Sequence, residues 1–388
     1  MATASSIDRI AAEARTWRRW LHSSPELNYD LPDTSGYILQ QLTSFGCDEV
    51  AAGIAQSGIV AVIRGKKAGS RVLAFRADMD ALPIQEQTGL PYASKNSGRM
   101  HACGHDGHSA TLLGAAKFLA ESRDFEGSVV AIFQPAEETG AGGKAMVEAG
   151  ILDKYGIEEV YGLHNLPGLP VGEFATSPGS LLAAASSFEI VIRGKGGHAA
   201  MPHSTIDPLH AGCAMVLSLQ SIVSRNVNPA DAAVVSVTGF NAGDSFNIIP
   251  DEIVIRGTVR ALDTNVQRLA VTRVSEIVEH SAHVFKVSAV LRFVMDYPVT
   301  VNHPEQTGKA IAAAGRVTGT PGVSPTIRPI MVSEDFSFML QERPGCFMFI
   351  GNGSSANLHH PAYDFNDGVI EFGMRYWISL AGDGFLGN

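Results

Sequence analysis

The chain has 388 residues, 45% hydrophobic and 18% charged, a composition that suits one large or two medium globular domains able to bury a real core. Its net charge of -10 and pI near 5.7 argue against a nucleic-acid or anionic-membrane partner, since neither is drawn to a negative field. Four scattered cysteines (Cys47, Cys103, Cys213, Cys346) without paired spacing, no apolar signal-peptide core and no run of about 18 apolar residues point to a cytoplasmic protein without a disulfide framework or membrane span.

Residues 5–21 have the spacing of an amphipathic helix, stopped by Ser24-Pro25, and a second helix is expected over 34–45 with Gly46 as its C-terminal glycine. Two strand-like runs follow, 58–64 and 71–77, separated by the turn-rich Gly65-Lys66-Lys67-Ala68-Gly69, and the second leads into Asp78-Met79-Asp80. After Met100-His101-Ala102-Cys103-Gly104-His105-Asp106-Gly107-His108, residues 110–120 carry helical apolar spacing. The continuous apolar run 128–133 reads as a strand buried on both faces, ended by Pro135 and followed at once by Glu137 and Glu138. A helix is expected over 140–149, a short strand over 159–163 ending on His164, and a late buried strand over 346–350.

Between Phe188 and Tyr297 the texture changes. Strands at 188–192, 232–238, 252–260 and 286–295 and helices at 207–223 and 265–283 follow the order β-α-β-β-α-β, the signature of a ferredoxin-like sandwich. This module interrupts the α/β domain, which resumes with a helix at 305–317; Ser177-Pro178-Gly179 and Tyr297-Pro298 are the expected hinges.

Three predicted strands thus end on acidic or imidazole groups, at Asp78/Asp80, Glu137/Glu138 and His164. In open α/β sheets, ligand sites lie outside the carboxyl ends of strands, so these groups are expected to converge on a metal site. Cys103 and His105, two apart in a glycine-bearing loop, have a spacing that can aim both at a metal; taken alone, the pair would read as a buried thiol beside a surface histidine. Of Glu137 and Glu138, one can bind metal while the other faces substrate, although an acidic pair opening a helix is the plain alternative. His359-His360 reads by default as a surface pair, and Gly194-Lys195-Gly196-Gly197-His198 as a tight turn.

Together these motifs make the chain resemble the aminoacylase and hippurate hydrolase family of metallopeptidases, in the branch with the auxin-conjugate amidohydrolases and bacterial N-acyl-amino-acid deacylases. The resemblance runs from His22-x-x-Pro25-Glu26-Leu27 to Asp364-Phe365-Asn366-Asp367. It implies an α/β catalytic domain with a mixed central sheet flanked by helices, in two parts (1–183 and 298–388), interrupted by a ferredoxin-like lid and dimerisation domain (184–297). It further implies two divalent ions per subunit, manganese, zinc, cobalt or nickel, held by Cys103, His105, Glu138, His164 and His359. By the same resemblance Glu137 is the general base and Asp80 orients a ligand histidine, while Asp78 stands where related peptidases carry a ligand histidine. His198 would reach the substrate carbonyl, in its own or a partner subunit's site, and Asn247 and Arg260 would hold the substrate carboxylate. Ser187, before Phe188, departs from the acidic residue expected there.

The activity so implied is metal-dependent hydrolysis of the amide bond of an N-acyl amino acid, in a homodimer or higher homo-oligomer formed through the lid. A dipeptidase or carboxypeptidase, or an aromatic-amine or amidine hydrolase, would use the same centre. A binding module that has lost catalysis is the alternative of a different class, disfavoured by the presence of Glu137 beside a full ligand set.

Overall fold

The computed structural model describes residues 2–382; residue 1 and residues 383–388, which the expected domain bounds include, lie outside the described residues. The chain divides into two compact units. The first takes the chain up to Gly179, then Val301–Arg328 and the chain from Asp335 onward, and the second takes Ser180–Thr300 with Pro329–Glu334.

The first unit opens with helices α1 (Ala2–Ser23) and α2 (Pro32–Ser44). The Glu26 carboxylate accepts the Asp33 and Thr34 N–H groups at 3.2 and 2.8 Å, caps that the first turn of α2 would otherwise lack. Strands β1 (Glu49–Ile54), β2 (Gly58–Arg64) and β3 (Lys67–Asp78) follow, then α3 (His105–Ser122), β4 (Glu126–Gln134) and, after two short helices, β5 (Glu159–Pro167). Here the expectation needs two corrections. Strand β1 has no clear apolar alternation, being a half-exposed edge strand, and β3 begins at Lys67, inside the segment read as a turn, because Lys67 pairs with Glu126 across a bulge.

The sheet has eight strands in the order β1-β2-β4-β3-β5, then Gly345–Gly353, Phe174–Ala175 and Val323–Ser324. Its centre is parallel (β4, β3, β5 and Gly345–Gly353) and its β1-β2 side is antiparallel. Strand β3 is joined to β4 on one side and β5 on the other, so the chain order reverses at its carboxyl end. That is the switch point at which α/β sheets open a crevice for ligands. Helix α3 is buried on nearly every face, which explains its weak amphipathic pattern. It packs between α1 and the helix Val369–Ala381, and Gly107 allows this by leaving room for the Phe365 ring, into which a Cβ would run.

The second unit is the four-stranded antiparallel sheet Ala233–Asn241, Glu252–Ala261, Ala184–Arg193, Ser288–Tyr297, in that order. Its helices Pro208–Leu219 and Thr264–Phe285 cover one face through Ile190, Ile192, Met215, Ile255 and Val274. Each helix starts on an aspartate, Asp207 or Asp263, whose side chain accepts two N–H groups of the first turn. The β-α-β-β-α-β order read from hydrophobic period is thus a ferredoxin-like sandwich. No helix among the described residues is long and apolar enough to cross a membrane.

One buried ionic cluster ties α1 to the start of α3. The fully buried Arg18 donates to Asp106 at 2.8 Å and to Asp364 at 2.7 Å, and His22 Nδ1 meets Asp106 at 2.7 Å. Burial alone would raise the Asp106 carboxyl, but Arg18 and His22 hold it well below the usual carboxylate range. Burial would likewise lower His22, and Asp106 outweighs it, pushing the imidazole up to about 9.

Replacing Arg18 by Met leaves Asp106 buried without its main partner, and is expected to destabilise the first unit by about 3–5 kcal/mol in urea unfolding. The His22 contribution is fully present below its unfolded pKa of about 6.5 and is lost as pH rises through about 9. The stability difference between wild type and His22→Gln should therefore shrink between pH 7 and 10.

Candidate metal centre

At the carboxyl end of β3 the chain turns through Asp78-Met79-Asp80, and the groups expected from sequence to lie at strand ends collect around it. Asp80 fastens three of them. Its carboxylate accepts the Glu137 N–H at 2.9 Å and the Glu138 N–H at 3.2 Å, and its backbone carbonyl accepts from His105 Nδ1 at 2.8 Å. Asp80 was expected to orient a histidine; the carbonyl does this, and the carboxylate, 3.6 Å from the same nitrogen, holds the acidic pair instead. Ala136, at φ +55°, makes the sharp turn that brings Glu137 and Glu138 back from the end of β4.

His105 does not sit in a loop as the glycines suggested. It is the first residue of α3, with Gly104 before it at φ +94°. Only glycine fits there, because a Cβ would strike the Asn165 amide and the Tyr363 hydroxyl. His164, expected to end its strand, lies inside β5, which runs on to Pro167 and pairs His164 with Phe349. Its Nδ1 donates to the Asn165 carbonyl at 2.7 Å and its Nε2 lies 3.5 Å from Cys103 Sγ. His359, at φ +63° in the loop after Gly345–Gly353, places its Nε2 at 3.3 Å from Glu138 Oε1.

Ligand-type atoms of Cys103, Glu138 and His359 lie within 4.8 Å of one another, as do those of His105, Glu137 and Glu138 and those of Asp78, His105, His108 and His164. Glu138 belongs to the first two groups and His105 to the last two, so the clusters are contiguous. His360 turns away: its Nδ1 accepts from Ala362 N at 3.0 Å and it stays exposed.

The donor set fits cations. His105 Nε2 and Glu138 Oε1 are buried, face the cluster and make no hydrogen bond, at a substantial desolvation cost. The Cys103 thiol is pushed well above its ordinary value by burial and by the carboxylates of Glu138, Glu137 and Asp78. His105 would be lowered by burial, yet Asp78, Asp80 and Glu138 push it up to about 10, at a helix N-terminus that itself disfavours positive charge. An imidazole that is pushed up against the effect of its burial is a sign of surplus negative charge, which divalent ions would relieve, and the same carboxylates add to what burial does to the thiol. Thiolate, imidazole and carboxylate together are a transition-metal ligand set.

Two histidines of the opening motif stand apart from the free donor atoms. His101 is fully enclosed and pushed down to about 3 by burial. His108 has both ring nitrogens engaged, Nδ1 on Asp78 at 2.7 Å and Nε2 by the Asn165 N–H at 3.1 Å. Sequence reasoning missed Asn165 as the residue shared by His108, His164 and the Cys103 carbonyl. It also missed Arg76, whose charge in the middle of a buried strand was the available signal.

In the second unit His198 and Asn247 are brought together by a two-stranded ribbon that pairs His198 with Ile248, and the Ala199 N–H donates to the Asn247 carbonyl at 3.0 Å. His198 Nδ1 accepts from Ala200 N at 3.1 Å, which leaves its exposed Nε2 as the N–H donor. Arg260, half-buried on Glu252–Ala261, donates to Ser333 Oγ at 2.8 Å.

Residues 74–383 match the peptidase family M20/M25/M40. Hippurate hydrolase of Campylobacter jejuni is 40% identical over 372 residues, 96% of each chain. N-acetyl-L-cysteine deacetylase of Bacillus subtilis is 41% identical over 91% of this chain and 83% of its own. The crystal structure of a dinuclear metal-binding peptidase of the M20 family from Bacillus subtilis superposes with a TM-score of 0.81 at 34% identity, covering 96% of this chain and 98% of the other. With this match over most of its length, the chain belongs to peptidase family M20/M25/M40 and is a metal-dependent amidohydrolase.

Proposed function

We propose that the protein hydrolyses the amide bond of small N-acyl amino acids, with Cys103, His105, Glu138, His164 and His359 holding two divalent ions and Glu137 as general base. The observation that carries this reading is the contiguity of those five donors with Glu137 beside them, its backbone pinned to the Asp80 carboxylate at 2.9 Å. The names of the relatives, one acting on hippurate and one on N-acetyl-L-cysteine, supply the substrate class.

When bound, divalent ions supply Lewis acidity that makes water acidic near neutral pH and takes up charge developing on the acyl oxygen. Glu137 accepts the proton of the attacking water and returns it to the amine nitrogen as the amide bond breaks. Asp80 keeps Glu137 and Glu138 in register through their N–H groups, and its carbonyl keeps the His105 proton on Nδ1 so that Nε2 remains a donor to metal. The Nε2–H of His198 stabilises the acyl oxygen, and Asn247 with the fork of Arg260 holds the carboxylate of the substrate. The thiolate ligand favours the softer end of the series manganese, cobalt, nickel, zinc. The four unpaired cysteines support a reducing, cytoplasmic setting, and a homodimer through the second unit completes the reading.

Glu137→Ala should keep its metal content by elemental analysis while kcat on hippurate or an N-acetyl amino acid falls at least about 10²-fold; near-normal turnover would remove Glu137 from the mechanism. A panel of hippurate, N-acetyl-amino acids, indole-acetyl-amino acids and dipeptides should show acyl amino acids cleaved fastest, and preference for dipeptides would instead assign a peptidase. Chelation should abolish turnover, with recovery on adding back one of the four metals; an enzyme indifferent to chelator would refute the metal assignment.

A further inference from the structure

Behind the candidate centre runs a buried chain of hydrogen bonds that no step above uses. Asp335 accepts from Arg76 Nη2 at 2.9 Å, from Gln134 Nε2 at 2.8 Å and from the Gly143 N–H at 2.7 Å. Arg76 donates through Nε to Gln134 at 2.8 Å and through Nη1 to Asp78 Oδ2 at 2.7 Å. The other oxygen of Asp78 meets His108 Nδ1 at 2.7 Å. On the far side of that ring, Asn165 presents its backbone N–H and its Nδ2 to His108 Nε2, at 3.1 and 3.0 Å. Both Asn165 groups are donors, so Nε2 must accept, and the ring proton must sit on Nδ1 and be donated to Asp78.

Asn165 then reaches two of the five proposed ligands. Its Nδ2 donates to the Cys103 carbonyl at 2.7 Å, and its own carbonyl accepts from His164 Nδ1 at 2.7 Å. Its Oδ1 accepts from the Tyr363 hydroxyl at 2.5 Å, and the Cys103 carbonyl, which can only accept, fixes the sense of the amide. Arg76, Asp78, His108, Asn165 and Asp335 are all buried. A chain of this kind, enclosed and with a donor matched to an acceptor at each link, has one arrangement of its protons.

We propose that Arg76, Asp78 and His108 are positioning residues for the metal centre. Anchored on Asp335, they hold the His108 ring in place with its proton toward Asp78, so that its Nε2 accepts from Asn165 and fixes that residue, and Asn165 holds the Cys103 loop and turns His164 so that its Nε2 faces the cluster. The inference rests on the reading of Cys103 and His164 as metal ligands. It also accounts for Asp78, which is held as an anchor by Arg76 and His108 on its two oxygens although it lies 3.7 Å from His105 Nε2.

The test titrates the metal-free protein with cobalt(II), reading affinity by calorimetry and the thiolate-to-cobalt absorption band. Asp78→Asn and His108→Ala should each weaken cobalt binding by about 10–100-fold and change the band, with kcat lowered more than KM is raised. His108→Gln, which keeps a donor and an acceptor, should recover part of the affinity and also serves if His108→Ala does not fold. Wild-type affinity and band in Asp78→Asn and in His108→Gln would overturn the proposal. Cys103→Ala separates the two readings: if it abolishes the band while the Asp78 and His108 variants keep it, the relay is wrong and the ligand set stands. If Cys103→Ala itself leaves band and affinity unchanged, the ligand assignment fails and the relay falls with it.

Discussion

Buried negative charge is the constraint on which the first unit depends. Asp78, Asp80, Asp106, Glu137 and Asp335 all lie inside the protein at one end of the sheet, where an unpaired carboxylate costs several kcal/mol or more. Each of the four aspartates has its own donors: Arg76 and His108 for Asp78, the Glu137 and Glu138 N–H groups for Asp80, Arg18 and His22 for Asp106, and Arg76, Gln134 and Gly143 for Asp335. Among the buried atoms left without a hydrogen bond, Glu138 Oε1 and His105 Nε2 point into the cluster. Each structural aspartate is thus neutralised by protein donors, whereas the two unsatisfied atoms in the cluster are ones that a metal would satisfy.

The fold supplies this arrangement through a few rigid endings. Strand β3 lies between β4 and β5, and helix α3 returns from its end, so Asp80 can bind the start of α3 through its carbonyl and the turn after β4 through its carboxylate. Because β3, β4 and β5 are held in register by parallel ladders, these contacts need no loop to find its own conformation. Two of the non-glycine residues at positive φ, Ala136 and His359, occur next to or at the proposed ligand positions; such local strain persists only where surrounding contacts over-determine it. Arg18 makes a further tie, since its bond to Asp106 fastens the residue that follows His105.

The elements were most legible where period and length agree. The run Gly58–Arg64 is a strand with the bounds read from its apolar residues, and the β-α-β-β-α-β order of the second unit follows from alternation along strands that bury one face. Strand β1 was not legible because an edge strand with one exposed face needs no apolar run, and α3 was read five residues short at its N-terminus because the glycines around His105 look like a loop. Gly104 makes the turn into the helix and Gly107 allows Phe365 to approach; neither breaks it.

Of the candidate site, the sequence by itself determined the chemical types and their order: a thiol and an imidazole two apart, an acidic pair after a buried strand, a histidine on the next strand and a late histidine pair. Those follow from local pattern, since carboxylates and imidazoles placed against apolar strands need partners wherever they end up. Only the tertiary structure decided which atoms are spoken for. That His108 is consumed by Asp78 and Asn165 while His105 keeps a nitrogen open, and that Asp335 supports a centre 259 residues from Arg76 in sequence, depends on distances between segments far apart in the chain. Hydrogen-bond partners across such distances leave no periodic trace in sequence, because their specificity lies in three-dimensional geometry.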